Sequence, residues 1–210
     1  MTVATLSQLL DAAAAGRHAV AGLVVLGWED ALAFVEAADE TGLPVILQAG
    51  PGCRRHTPVP VLGRMFRHLA EQALVPIACH IDHATTLEEC VRGIDYGFTS
   101  VMIDGSTLSL DENIALTNRV VEAARMSEVS VEGEVGFVGY ADGQPSDFTA
   151  PDEAARFVAE TSVDALAVSV GNVHLQTEKT DGINLDALRA IEAVTHVPLV
   201  LHGGSGIPPH

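Results

Sequence analysis

"VPIACHIDHATTLEEC", Val75 to Cys90, contains a strand, a polar turn and the start of a helix in one short run. Val75-Pro76-Ile77-Ala78-Cys79 is apolar without alternation, the pattern of a strand covered on both faces, as parallel sheets are. Three ionisable residues, His80, Asp82 and His83, follow at its end. Thr85 then stands before Thr86-Leu87-Glu88-Glu89 as an expected N-cap, with acid in the first helical turn. Strand alternation puts His80 and Asp82 on one face. Buried strands rarely end in this way unless the end belongs to a site, and parallel α/β sheets gather such ends on one rim.

The same unit recurs along the chain. Apolar strand-like runs are expected at Ala19–Leu26, Pro44–Ala49, Val75–Ile81, Ser100–Ile103, Ser130–Val135, Ala165–Val170 and Pro198–Leu201. Helical stretches are expected at Trp28–Thr41, Pro60–Ala73, Thr86–Tyr96, Leu110–Met126, Pro151–Thr161 and Leu185–Ala193. Gly42 and Gly97 stand where helix C-caps belong. Repeated strand–helix units imply a parallel sheet with right-handed crossovers. The first βα turn, Val25-Leu26-Gly27-Trp28, lacks the glycine-rich dinucleotide fingerprint, which weighs against a Rossmann fold and leaves most of a (β/α)8 barrel. No linker or low-complexity segment interrupts residues 1–210, so one barrel domain is expected.

Composition narrows the function. Hydrophobic residues make up 48% of the 210 and aromatics 4%, an Ala/Val/Leu/Ile-rich mix suited to buried strands. A net charge of -17 argues against nucleic acid or an anionic membrane as the main partner. An anionic substrate then needs a local site made by a metal, a helix N-terminus or backbone N–H groups. Cys53, Cys79 and Cys90 lack metal-finger spacing and read as reduced core thiols of a cytoplasmic protein. No charged-then-apolar leader opens the sequence and no apolar run is long enough to span a bilayer, so a soluble protein is expected.

The polar residues concentrate at strand ends. Besides His80-Ile81-Asp82-His83 these are Asp104-Gly105-Ser106, Glu132-Gly133-Glu134, Gly171-Asn172-Val173-His174 and His202-Gly203-Gly204-Ser205. His83, His174 and His202 each follow a strand directly, and three neutral imidazoles with an open fourth position make a catalytic zinc-type site. Asp82 beside such a metal can orient a ligand or move a proton. His80 reads as a hydrogen-bonding support. Glu132 and Glu134 share a face, and Asp104 reads equally as a cap for the next helix or as part of the site. Gly203, Gly204 and Ser205 offer backbone N–H groups and a hydroxyl to an anion, as late βα loops of barrels often do. His18, His56, His68 and His196 fall at helix or loop positions outside this pattern.

Together, "HIDHATTLEECVRGIDYGFTSVMIDGS", "VEGEVG", "SVGNVH" and "LVLHGGSG" resemble the class II, metal-dependent ketose-bisphosphate aldolases, which include the fructose- and tagatose-bisphosphate enzymes. The resemblance covers nearly the whole chain in order. It implies a (β/α)8 barrel, Zn2+ or another divalent metal with a monovalent cation as a further ion, and a homo-oligomer, dimer or tetramer. The implied reaction is reversible cleavage of a ketose 1,6-bisphosphate to dihydroxyacetone phosphate and an aldehyde. By motif, Asp82 is the implied proton donor, His83, His174 and His202 hold the metal, and Asp104 and Glu134 match a second metal position. Gly203, Gly204 and Ser205 bind the substrate phosphate. Asp142 in "GYADG" is the nearest match to the family's base, and Lys179 falls in the polar stretch after the second ligand histidine.

Three departures from the family pattern stand out. Ala84 and Leu175 replace usual glycines, and Val24 falls where an asparagine is usual. The chain also stops at His210, where the family continues into an eighth strand and a C-terminal helical region, so the eighth βα unit is expected to be missing. These departures motivate alternatives: a non-catalytic sugar-phosphate-binding relative or partner subunit, or an aldolase for a different phosphorylated ketose. A Schiff-base aldolase would need a lysine at a strand end, where this sequence has none. A metal-barrel hydrolase would need a His-x-His on an early strand, which is also absent.

Overall fold

The computed structural model describes residues 2–141, 143, 145–176 and 182–207. Asp142 and Lys179 lie outside the described residues. The fold is a parallel α/β arrangement in which strands and helices alternate, except that two helices lie between the third and fourth strands. Its strands are β1 Val3–Ala4, β2 Ala21–Val24, β3 Val45–Ala49, β4 Ile77–Ala84, β5 Ser100–Ile103, β6 Ser130–Val135, β7 Ala165–Val168 and β8 Leu199–Val200. Its helices are α1 Leu6–Gly16, α2 Trp28–Thr41, α3 Pro51–His56, α4 Val59–Gln72, α5 Leu87–Asp95, α6 Leu110–Arg125, α7 Pro151–Thr161 and α8 Leu185–Glu192. The seven expected strands are all present: β5 and β6 have the expected bounds, β4 starts later and runs on to Ala84, and the other four are shorter. β1, α1 and α3 are additions to the sequence reading. A capping box at α1, Thr5 with Gln8, is the local signal that marks the first of these helices.

The chain divides into two compact units, Met1–Ile103 with Arg119–Glu132, and Asp104–Asn118 with Gly133–His210. In the first, strands hydrogen-bond in the order β2-β3-β4-β5-β6, and β1 pairs the start of β4. The β1–β4, β2–β3, β3–β4 and β4–β5 pairs are parallel. The core holds Leu6, Leu47, Leu62, Phe66, Ile77, Ile81, Phe98 and Met102, all essentially inaccessible. Phe66 of α4 meets Phe98 with ring centroids 5.6 Å apart, a tilted aromatic contact. Two glycines let elements approach closely: a Cβ on Gly63 of α4 would fall 2.2 Å from the Tyr96 carbonyl oxygen, and one on Gly93 of α5 would fall 2.6 Å from Ile81 Cγ1.

In the second unit β6 continues the order to β7 and β8, and β7–β8 is parallel. Every residue of β6 and β7 is buried, which explains the unbroken apolar run of β7 and makes Glu132 and Glu134 of β6 interior groups. Two caps differ from expectation. α5 is capped by Thr86, whose hydroxyl accepts from the Glu89 N–H, while the Thr85 N–H donates to the Glu89 carboxylate. α6 opens on a reciprocal Ser109–Glu112 pair, so Asp104 is not its cap. Gly42 takes the left-handed C-cap as expected, and Gly97 (φ 97°) follows the α5 cap at Tyr96.

Candidate functional site

In the first unit the site residues come from the end of β4. His80 is 1% exposed; its Nδ1 lies 2.7 Å from Ser100 Oγ on β5 and its Nε2 3.8 Å from Glu132 Oε2 on β6. The first contact ties the imidazole to β5, and the second sets its other nitrogen beside the Glu132 carboxylate of β6. Asp82 is also buried, and the carboxylate has room because residue 50 is glycine: a Cβ there would stand 3.2 Å from Asp82 Oδ2.

The register explains how Asp82 and His83 come together. Between Ile81↔Val101 and Ala84↔Ile103, β4 advances three residues while β5 advances two, a β-bulge. His83 sits in it with φ 49°, in the left-handed region. Consecutive residues of a regular strand point to opposite faces. Here the bulge breaks that alternation, and His83 Nε2 lies 4.0 Å from Asp82 Oδ1. The His83 N–H donates to Met102 Sδ at 3.4 Å. A non-glycine residue in this conformation is uncommon, and it persists where surrounding contacts over-determine it. Ala84, one of the departures from the family pattern, is fully buried within β4 opposite Ile103 and is not a loop residue.

In the second unit four residues gather in two pairs. His174 and His202 lie with ring centroids 5.7 Å apart, and each offers a ring nitrogen within 4.8 Å of the other's. Asp104 and Glu134 offer carboxylate oxygens within the same 4.8 Å. Asp104 Oδ1 accepts from the Ser106 N–H and hydroxyl, at 3.1 and 2.6 Å, which fixes the turn after β5. Glu134 is buried; its Oε1 accepts from the Val138 N–H at 3.3 Å, and its backbone carbonyl accepts from Asn113 Nδ2 at 2.8 Å. His174 is held by backbone bonds to Gly139 and Ala141 and by Tyr140, whose ring stacks on it at 4.9 Å.

Asn172 is a positioning residue that sequence reading passed over. Its Oδ1 accepts from the Val170 N–H at 2.8 Å, and its Nδ2 donates to the His202 carbonyl at 2.9 Å. It therefore straps the segment that follows β7 to the segment that follows β8. The Gly-Asn pair at a strand end was the available signal. Gly203 has φ 69°, and a Cβ there would fall 2.3 Å from the Val173 carbonyl oxygen, so only glycine fits beside His202. Gly204–Gly206 form a single 3-10 turn in which Gly204 and Ser205 are exposed.

Both pairs fit a divalent cation. Two imidazoles and two carboxylates in buried or half-buried positions are the donor types that zinc takes, and in each pair the ligand atoms lie within 4.8 Å of one another. Asp82, next to His83, adds a carboxylate, a group of the type that can move protons.

Known proteins resemble this chain over nearly its whole length. The family model "Fructose-bisphosphate aldolase class-II" matches residues 4–210. The chain is 38% identical to a 6-phospho-5-dehydro-2-deoxy-D-gluconate aldolase of Halalkalibacterium halodurans, over 99% of this chain and 74% of that protein. It is 36% identical to a fructose-bisphosphate aldolase of Geobacillus stearothermophilus, over 99% of this chain and 75% of that one. Among solved structures, the YdjI aldolase from Escherichia coli K12 superimposes with a TM-score of 0.88 at 32% identity, covering 98% of this chain and 74% of that one. The chain spans about three-quarters of the length of these relatives. The strand-end histidines and carboxylates, the parallel α/β fold and a match over nearly all residues lead to one conclusion: this chain belongs to the class II fructose-bisphosphate aldolase family and is an enzyme, an aldehyde-lyase of carbohydrate metabolism.

Proposed function

We propose that the chain carries most of a single (β/α)8-type barrel domain and cleaves a phosphorylated ketose to dihydroxyacetone phosphate and an aldehyde, using a divalent metal, zinc by donor type. The observation that carries this reading is the His174–His202 ring pair at the ends of successive βα units. His83, His174 and His202 are the proposed ligands, with Asp104 and Glu134 as a second metal position. When bound, the metal polarises the ketone oxygen as a Lewis acid and stabilises the charge that develops as the carbon–carbon bond breaks. In the cleavage direction the Asp82 carboxylate takes the proton from the hydroxyl oxygen that becomes the aldehyde; in condensation it returns that proton. His80, held by Ser100 and Glu132, keeps the strand end rigid behind it. The N–H groups of Gly203 and Gly204 and the Ser205 hydroxyl bind the phosphate. Asp142 is the proposed base at the ketone carbon.

The test separates the half-reaction from the choice of substrate. Exchange of the α-proton of dihydroxyacetone phosphate in D2O reports enolisation whatever the aldehyde partner is. Exchange that chelator abolishes and Zn2+ or Co2+ restores supports the reading. Exchange that survives chelator but is lost on borohydride treatment with substrate would sink it. Cleavage of fructose 1,6-bisphosphate, tagatose 1,6-bisphosphate and 6-phospho-5-dehydro-2-deoxy-D-gluconate then identifies the ketose.

A further inference from the structure

We propose that Arg54 is a positioning residue that holds Asp82 and His83 in their working geometry by clamping the backbone on both sides of the peptide that joins the bulge to its kink; this rests on the roles proposed above for those two residues. Arg54 lies on α3, and its side chain is only 6% exposed. The guanidinium donates to three main-chain carbonyls: Ala49, the last residue of β3, and Asp82 and His83 of β4, the last at 3.0 Å. Its Nη2 also lies 3.6 Å from Glu89 Oε1 in the first turn of α5. One planar cation thus ties the C-terminal ends of two strands to the start of a helix.

The placement matches a need. His83 holds φ 49° in the bulge, a conformation that L-residues avoid and that must be fixed from outside. The carbonyls that Arg54 binds belong to the residue before the kink and the residue in it. Fixing both sets the two peptide planes and so the directions of the Asp82 and His83 side chains. Lysine could not substitute, because one ammonium lacks the rigid fork that reaches several acceptors at once. Burying a guanidinium is costly, and an apolar residue at this position would serve packing alone better. Two of the three acceptors, the Asp82 and His83 carbonyls, belong instead to the chain segment that carries the proposed chemistry, and the third ends the neighbouring strand β3. The Pro51-Gly52-Cys53-Arg54-Arg55 run gave no sign of this in the sequence, where an arginine just past a strand reads as solvated.

The experiment compares wild type with Arg54→Met, Arg54→Lys and Arg54→Ala. Zinc affinity is measured by competition with a chromophoric chelator, beside kcat, KM and the thermal midpoint. Groups that orient metal ligands typically contribute about 10–100-fold in affinity or activity. Arg54→Met is expected to lose zinc affinity by that factor and to lower kcat and kcat/KM together, with KM held. Arg54→Lys should fall between it and wild type. Millimolar guanidinium should restore zinc affinity in Arg54→Ala and do nothing for His83→Ala. Wild-type zinc affinity and wild-type kcat per folded molecule in Arg54→Met, with only the thermal midpoint lowered, would overturn the proposal. If Arg54→Met does not fold, full zinc affinity in Arg54→Lys, or an Arg54→Ala that guanidinium leaves unchanged, overturns it as well. A wild type without metal-dependent turnover would instead sink the aldolase mechanism itself, so the two failures are distinct.

Discussion

Asp82 and His83 are neighbours in the chain with different proposed jobs, and their variants should part company. Asp82→Ala removes a proton-transfer group and is expected to lower cleavage by about 10²–10⁴-fold. Zinc content and dihydroxyacetone phosphate exchange should persist, because the α-proton is assigned to another group. His83→Ala should lose zinc, exchange and cleavage together. Equal loss of zinc in both variants would make Asp82 a ligand or a support. Leu175 is a second residue of interest. It has φ 57°, is 78% exposed, and replaces a glycine usual in the family pattern. A left-handed L-residue costs about 1–2 kcal/mol, and the added freedom of glycine in the unfolded chain takes back about 0.5–1 kcal/mol. Leu175→Gly should therefore stabilise the fold by up to ~1 kcal/mol in urea unfolding. Leu175→Ala keeps the strain and should give no gain.

Elements set where those residues sit. β4 carries the site because β3 and β5 fix it on both sides, and its bulge follows from the mismatch of three residues against two. Behind it, α4 packs on the end of α5 at Gly63, where a Cβ would meet the backbone oxygen of Tyr96 at 2.2 Å. Alanine there would gain about 1 kcal/mol of helix propensity. The overlap is with backbone, which cannot rotate away, and overpacking typically costs about 1–3 kcal/mol, more when a whole helix must shift. Gly63→Ala is thus expected to be net destabilising by about 1–2 kcal/mol, read as a lowered thermal midpoint. A raised midpoint would mean that the α4–α5 contact is looser than this geometry.

Across the whole molecule the three cysteines are buried thiols with raised pKa values. Burial pushes Cys79 and Cys90 up from 9.0 to about 12. Cys53 is raised by burial as well, with Arg54 opposing the shift. For an acid whose folded pKa lies above its unfolded value, the folded state holds the proton longer. Its contribution to stability is complete below the unfolded pKa of 9.0 and is lost as pH rises toward about 12. Urea unfolding should show stability falling as pH climbs above 9.0, and a Cys79→Ala/Cys90→Ala double variant should show a shallower fall. Identical slopes in the two proteins would remove the thiols as the cause. No described helix is long and apolar enough to cross a membrane.

The sequence by itself determined the alternation of strands and helices, the parallel sheet, the polar strand ends and the family. Each of these is local: apolar runs, caps and motifs at fixed spacing are written in consecutive residues. α2 and α7 were legible to the residue, because a glycine or an αL cap closes each and acid or Pro opens it. Only the tertiary structure decided what depends on partners distant in the chain. The bulge that turns His83 toward Asp82 exists through pairing with β5, which no pattern in "HIDH" reveals. The same holds for Asn172, which reaches the His202 carbonyl 30 residues on, and for Arg54, which reaches the Asp82 and His83 carbonyls 28 and 29 residues on. A side chain's neighbours in sequence fix its element; the acceptors it finds are fixed by strand order and burial, and those arise only when the elements pack.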